Sequence, residues 1–492
     1  MLELHGWKRL IASVVLLLGA AFVFRTLVSI DLTSLWNDEL RTVEKSFQPS
    51  LGFLLNYLRS DVHPPLYYIV LWFFGQVFGQ TLLVLRGFSW LSYLLAGVVL
   101  PLAVWQWRHS MIAAASAGLL AVALPFSVRF AVEGKAYSLM FALVGLALWQ
   151  RQRWIRSQAG AKIFYPLAFA AAALTHYYGL GLLLAQALLD GKRRDWQLLR
   201  LDCWALLIPS LWMLSTVSFL LGDGGREWIP PASPELLYKF VLLALGAHWP
   251  VVLMVVIGLT TTLAVANRDR PQSSLFPLVR AWGLDAAALL AVVSFVVSIW
   301  RPSAVDRYYI VLLPSCIGVF SCWLGEQLKS GELLRWRGLM LLLCFSTVLS
   351  LWWSDSFAQI APPLGHSYRK GQDFRAVSIQ ASVKSGLDPV LKLSRQCRQL
   401  NASDHVLVEG GILPVSRSKW LCPGKGDTLA HWVESIDPFK PTQVLVLATV
   451  GRQKSSDGVP AQKDVHQLEA AGWICGHIER LGPSTRLATC RR

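Results

Sequence analysis

The sequence has 492 residues, 54% hydrophobic and 15% charged, with a net charge of +16 and 22 tryptophans. A water-soluble chain has no means of hiding that much apolar surface, so the composition describes a polytopic membrane protein. No stripe of basic and aromatic residues accompanies the positive charge, which excludes nucleic acid as the expected partner. The charge sits in short loops, "RQRWIR", "GKRRDW", "NRDR" and "LKSGELLRWR", and loops of that kind stay in the cytoplasm.

The first apolar run, Leu10 to Phe24, follows Lys8 and Arg9 and shows no small-residue cleavage site. It is expected to be an uncleaved signal anchor with its N-terminus in the cytoplasm. Further spans are predicted near 84–106, 111–128, 137–150, 162–176, 178–190, 200–221, 250–267, 281–300, 308–325 and 337–353. With the anchor near 10–30 this makes about eleven transmembrane helices. Two shorter apolar stretches, 64–79 and 236–248, are expected to be interfacial or re-entrant. A full span at 64–79 would carry "RQRWIRSQ" and "GKRRDW" to the other side, against the charge rule. In this arrangement "WNDEL", "VRFAVEGKAY", "THYYG", "GDGGREWIPP" and "RPSAVDRYY" share the opposite face.

After Trp353 the composition turns ordinary. "HVLVEG" and "TQVLVLATV" read as strands and "DVHQLEAAGW" as a helix. The expected organisation is therefore an all-α membrane domain over 1–353 and a small soluble α/β domain over 354–492 on the outer face. Cys203, Cys316, Cys322 and Cys344 fall in or beside apolar segments, as small buried hydrophobes do. Cys397, Cys422, Cys475 and Cys490 lie in the polar tail, where an even number outside an oxidising boundary predicts disulfides of open connectivity. Asn401 heads an "NAS" triplet, a signal too common to carry weight.

Asp38 and Glu39 in "WNDEL" fit the first turn of a juxtamembrane helix, where the dipole favours acids. His63, in "DVHPPLYY", fits an interfacial histidine equally well. Glu133 and Lys135 are two residues apart and share no helix face, so a mutual salt bridge does not explain them. Together with His176, Arg307 and the tyrosines beside them, they put carboxylates, cations and rings on one membrane face. That set suits a substrate with an anionic head and a lipid tail. A sugar joined through phosphate to a polyprenol carries its own leaving group. It needs one carboxylate base for the acceptor and cations for the departing phosphate.

"LWNDEL", "DVHPPLYY", "AVEGKAYSL", "THYYGL" and "DRYYIVLLP", in that order, resemble membrane glycosyltransferases of the GT-C superfamily. The branch they resemble is that of the lipopolysaccharide-core glycosyltransferases, relatives of protein O-mannosyltransferases and aminoarabinose transferases. The resemblance spans roughly residues 10–325. It implies a GT-C fold, a polyprenyl-phosphate-linked sugar donor, a glycan, lipid or protein acceptor, and a bacterial inner-membrane location with the tail in the periplasm. It makes Asp38 the catalytic base with Glu39 supporting it, and His63 a substrate contact. Glu133, Tyr137, His176, Tyr177 and Tyr308 are expected to position substrates. Lys135, standing where such proteins carry an arginine, is expected to hold the phosphate with Arg86 and Arg307. Lysine offers a point charge in place of a planar fork, which weakens the case for bidentate binding there. A divalent metal is left open, since no tight ligand spacing demands one. The alternatives are a polyprenyl-linked glycan transporter and a non-catalytic partner in envelope-polymer assembly. The absence of an internal repeat and the one-sided ionisable residues speak against transport.

Overall fold

The computed structural model describes residues 2–32, 35, 37–158, 160–222, 229–266, 275–328 and 334–360, then strand and helix segments between 391 and 491. Asn401, Cys422, 223–228 of the "GDGG" loop, "NRDR" and 329–333 lie outside the described residues. The chain divides into two compact units. Unit 1 holds residues 1–28, 55–71 and 86–358; unit 2 holds 29–54, 72–85 and 359–492.

In chain order the helices are α1 (Leu2–Leu27), α2 (Asn37–Ser46), α3 (Leu51–Arg59), α4 (Leu66–Phe78), α5 (Leu82–Arg108), α6 (Met111–Ala123), α7 (Pro125–Ala131) and α8 (Tyr137–Ile155). They continue with α9 (Ala161–Thr175), α10 (Tyr177–Lys192), α11 (Trp196–Leu221), α12 (Pro234–Leu245), α13 (Trp249–Ala266), α14 (Leu275–Ala281), α15 (Leu284–Trp300), α16 (Leu313–Gln327) and α17 (Leu334–Ile360). A 3-10 turn, Asp306–Leu312, leads into α16. Among the described residues, five helices are long and apolar enough to cross a membrane, or up to eight if each bent pair is one span. This is a membrane protein.

Three pairs of successive helices meet at bends, only one of them well inside an expected span, and each bend has a local cause. Leu124 is extended (ψ 134°) because the following Pro125 disfavours the helical region, so 111–128 breaks into α6 and α7 at 56°. Gly246 takes φ +85°, closed to most side chains, and ends α12 at a 71° bend from α13. Gly283 takes φ +58° between α14 and α15, which bend by 68°. The stretch 236–248 thus becomes the short arm α12 and its turn, and 64–79 the thirteen-residue α4. The final span is longer than expected, reaching Ile360 in place of 353.

The α12–α13 bend is fastened from α17: Trp352 Nε1 donates to the Leu245 carbonyl at 2.8 Å, and His248 lies 3.1 Å from Asp355 Oδ2. Tyr93 on α5 donates to the Val122 carbonyl at 2.8 Å, just before the α6–α7 break.

Deep in unit 1, α8, α9, α10 and α11 share a buried charged layer. Arg151 (α8) donates to both carboxylate oxygens of Asp190 (α10) at 2.7 and 2.8 Å, and all of these side chains are fully buried. Tyr165 (α9) receives a bond from Arg151 at 3.3 Å and donates to Asp202 (α11) at 2.5 Å. Gln186 adds a donor to Asp190 at 3.2 Å. Burying charge is costly unless it is paired and hydrogen-bonded, and here four helices supply the pairs.

In unit 2, β1 (Leu391–Ser394) runs parallel to both β5 (Trp420–Leu421) and β6 (Gln443–Thr449). β6 pairs antiparallel with β9 (Thr485–Arg491), which also pairs with β7 (Ile474–Cys475) and β8 (Glu479–Arg480). A separate antiparallel set joins β2 (Cys397–Gln399), β3 (His405–Val408) and β4 (Gly411–Pro414). The runs "HVLVEG" and "TQVLVLATV" accordingly form β3 and β6. A disulfide joins Cys475 to Cys490 across facing positions of β7 and β9.

Candidate active site

Unit 1 gathers a set of polar and aromatic side chains at the ends of its helices. The turn between α7 and α8, residues 132–136, carries Glu133 and Lys135, and the Lys135 amide donates back to the Glu133 carbonyl at 2.7 Å. So tight a turn holds both side chains off any helix face. The Glu133 carboxylate is buried and lies 3.9 Å from Arg129 Nε, one helical turn earlier. On α5, Ser89 donates to the Lys135 carbonyl at 3.4 Å. It thereby ties this turn to the helix whose first turn bears the buried Arg86.

Tyr137 opens α8. Its hydroxyl accepts from Arg307 Nε at 2.8 Å, joining positions 170 residues apart. Arg307 stands on the 3-10 turn, with its guanidinium 6.0 Å from the Tyr308 ring. That turn is held by Tyr309, whose hydroxyl accepts from Ser294 of α15 at 3.2 Å and whose ring meets Phe240 of α12 at 5.6 Å.

His176 sits at the centre. Its ring lies 4.7 Å from Tyr308, 5.9 Å from Tyr137 and 5.9 Å from Tyr178. It caps α10: Nδ1 accepts from the Tyr178 amide at 3.1 Å. A ring nitrogen that accepts carries no proton, so the neutral imidazole has its proton on Nε2. Burial pushes the histidine from its ordinary value of 6.5 down to about 3, and the fields of His63, Arg307 and Lys135 act in the same direction. His176 is therefore a neutral hydrogen-bond donor at physiological pH.

Because the folded value lies below the unfolded one, His176 favours folding fully above pH 6.5. That contribution is lost as pH falls toward about 3. The expected result is a wild-type unfolding midpoint that drops between pH 7 and 4.5. In the His176→Asn variant, where asparagine keeps the cap, the pH slope of the unfolding free energy is smaller by up to about 1.4 kcal/mol per pH unit. Thermal unfolding in detergent across that range checks it.

The turn that presents His176 depends on Gly179. A Cβ there would lie 2.3 Å from the Ala172 carbonyl oxygen and 2.7 Å from its carbon, both backbone atoms that have no room to yield. Gly179→Ala is expected to cost about 1–3 kcal/mol in thermal stability. It would also weaken substrate binding by parting α9 from α10.

His63 lies 2.6 Å from Asp61 through Nδ1, and its ring meets Tyr68 edge-on at 5.9 Å. Tyr177 points elsewhere: its hydroxyl meets Thr216 of α11 at 3.4 Å, away from the ring cluster around its neighbour. The structure therefore brings Tyr137, His176, Arg307 and Tyr308 into contact and ties Lys135 to Arg86's helix. It turns Tyr177 toward a different helix. Asp61, Arg129, Tyr178 and Tyr309 were given no role from sequence. The doublets "HYY" and "RYY" held the signal for the two tyrosines, since each doublet puts its second ring in the cluster.

Asp38 and Glu39 belong to unit 2, in the first turn of α2, where the helix dipole favours them. Glu39 is fully buried, whereas Asp38 is half-buried. The Thr42 hydroxyl donates to the Asp38 carbonyl at 3.1 Å. Trp72 Nε1 donates to the Gln48 carbonyl at 2.8 Å, binding α2's end to the later segment of the unit. Among the described residues, no three His, Cys, Asp or Glu side chains gather as a metal ion would need.

No family model matches the sequence, and no curated protein matches it in sequence. In structure the chain is similar to ArnT from Cupriavidus metallidurans in the apo state, at TM-score 0.56 and 16% identity over 99% of this chain and 98% of that one. It is similarly close to the same protein bound to undecaprenyl phosphate, at TM-score 0.55 and 16% identity over 98% of each chain. The chain thus shares the fold of ArnT.

Proposed function

We propose that this protein is a glycosyltransferase of GT-C type that moves a sugar from a polyprenyl-phosphate donor to an acceptor hydroxyl on the periplasmic face of a bacterial inner membrane. The observation that carries the proposal is the Arg307–Tyr137–His176–Tyr308 cluster at one end of the helices, in a fold shared with a protein solved with undecaprenyl phosphate bound. In the reaction the acceptor oxygen attacks the anomeric carbon as the bond from that carbon to the phosphate oxygen breaks. The acceptor's proton passes to a carboxylate base, the role that the sequence resemblance gives to Asp38. Arg307, Lys135 and Arg86 balance the charge that grows on the leaving phosphate. The His176 Nε2–H donates to a substrate oxygen, and the rings of Tyr308 and Tyr137 offer faces to the sugar. A single carboxylate and direct displacement give inversion at the anomeric carbon.

The same proposal puts residues 354–492 in the periplasm, where the Cys475–Cys490 disulfide fits an oxidising compartment. The acceptor is a cell-envelope glycan, lipid or protein. The test is to reconstitute the full chain in vesicles with a polyprenyl-phosphate-linked sugar and an envelope extract as acceptor, and to measure free polyprenyl phosphate. Release coupled to a new glycoconjugate is expected. Donor that moves across the bilayer intact would replace the enzyme with a transporter.

A further inference from the structure

Unit 1 carries a concavity of about 610 Å3, walled by the end of α5, the last turn of α8, the first turn of α11, and α14. α11, one of the helices long and apolar enough to cross a membrane, runs from Gln197 in this wall to Thr216, whose hydroxyl meets Tyr177 beside His176. That stretch rises about 28 Å, close to the thickness of a bilayer's hydrocarbon core. The cavity therefore lies at the headgroup level of the leaflet opposite the candidate active site.

Its lining has two characters. Trp107, Trp154 and Phe276 contribute rings, while Gln158, Gln197 and Arg280 contribute polar ends. Arg280 donates to Asp195 through Nη2 at 2.9 Å, and its side chain stays 37% exposed. Asp195 also caps α11, accepting from the Leu198 amide at 3.3 Å, and both bonds offset its charge. The positive end of that 26-residue helix adds to the same wall. Nearby, Arg156 lies 4.6 Å over the Trp107 ring and donates to the Trp107 carbonyl at 2.6 Å.

The surrounding face is basic. Lys162, Lys192, Arg194 and Arg200 are exposed on it. Among the described residues there, the acids Asp195, Asp285 and Glu326 are each held by an arginine, namely Arg280, Arg193 and Arg108. A pocket between helices that holds one arginine–aspartate pair and a helix N-terminus, with rings beside it and no unpaired acid among its described lining residues, on a face carrying exposed cations, suits an anionic headgroup carrying acyl chains.

We propose that this cavity binds an anionic glycerophospholipid of the arginine-rich leaflet. Its phosphate sits against Arg280 and the start of α11, and its chains lie along Trp154 and Phe276. The lipid so placed ties α14 to α5, α8 and α11.

The test uses purified full-length protein in detergent, with phosphatidylglycerol or phosphatidylcholine of identical chains added, read by native mass spectrometry and thermal unfolding. Phosphatidylglycerol is expected to bind more tightly and to raise the unfolding temperature more. Gln197→Glu places an acid where the α11 dipole favours it, so the fold is kept. It is expected to cut phosphatidylglycerol affinity by about fivefold, the effect of one charge near the headgroups. Lys239→Gln, on α12 at the other helix ends, is expected to leave that affinity unchanged. Equal affinity for the two lipids, an undiminished preference in Gln197→Glu, or competition by soluble glycerol phosphate as strong as that of the lipid would each overturn the proposal.

Discussion

Replacing Asp38 with Asn is expected to lower sugar transfer by about 10²–10⁴-fold, the range that a positioned general base contributes. The substitution keeps the shape of the side chain and removes only its capacity to take a proton. The Thr42 bond to residue 38 runs to the backbone carbonyl and survives the change. The lost dipole interaction at the start of α2 costs about 0.3–1 kcal/mol, too little to unfold the chain. Donor binding should therefore hold while turnover falls, and initial rates read beside a donor titration separate the two. Glu39→Gln makes the contrast. Glu39 is fully buried, so its loss should appear first in stability and only secondarily in rate. An Asp38→Asn enzyme that keeps wild-type turnover would remove the proposed mechanism.

Arg151→Met is the second large effect expected, and it concerns stability. Without the arginine, Asp190 loses both short bonds from its fully buried partner, and Tyr165 loses a donor. Breaking one side of a buried pair costs about 3–5 kcal/mol, chiefly because the other charge is left in a low-dielectric site. Thermal unfolding of the purified protein should show a marked fall. The double variant Arg151→Met, Asp190→Leu should recover most of it, since apolar replacement of a whole buried pair is often neutral or better. If the single variant melts like the wild type, the layer contributes nothing to the packing of α8, α9, α10 and α11.

Much of this architecture was legible beforehand because apolar run length and loop charge obey strong rules. The helices α8, α9, α10 and α11 fall where the hydropathy and the basic loops put them. The three bends were not foreseen, although Leu124-Pro125, Gly246 and Gly283 are the local causes. A single proline or glycine breaks some helices and is absorbed by others: Pro101, Pro166 and Pro209 lie inside unbroken α5, α9 and α11. Neighbours decide between these outcomes, as Trp352 and Asp355 do at the α12–α13 bend. In the candidate site, Tyr137, His176 and Arg307 could be picked because polar residues at span ends demand an explanation. Tyr177 and Tyr178 could not be told apart, since the turn after His176 decides which of two adjacent rings faces the cluster. Arg129 was passed over as one more cation, because its partnership with Glu133 appears only once α7 is seen to be helical there. The layer around Arg151 was missed entirely. Arg151 reads as the first cation of the basic loop "RQRWIR", while Tyr165, Asp190 and Asp202 fall singly in three separate apolar stretches, so no window shows them together.

That scattered layer bears on how the chain enters its bilayer during synthesis. α8 with Arg151, α10 with Asp190 and α11 with Asp202 each carry a charge within two turns of a helix end, where a lone helix pays less than the about 2.5–3.5 kcal/mol that insertion scales give at a helix centre. The partner of Arg151 is made 39 residues after it. α8 and α9 therefore have reason to linger beside the insertion machinery until α10 emerges, and to leave for the lipid as one neutralised group.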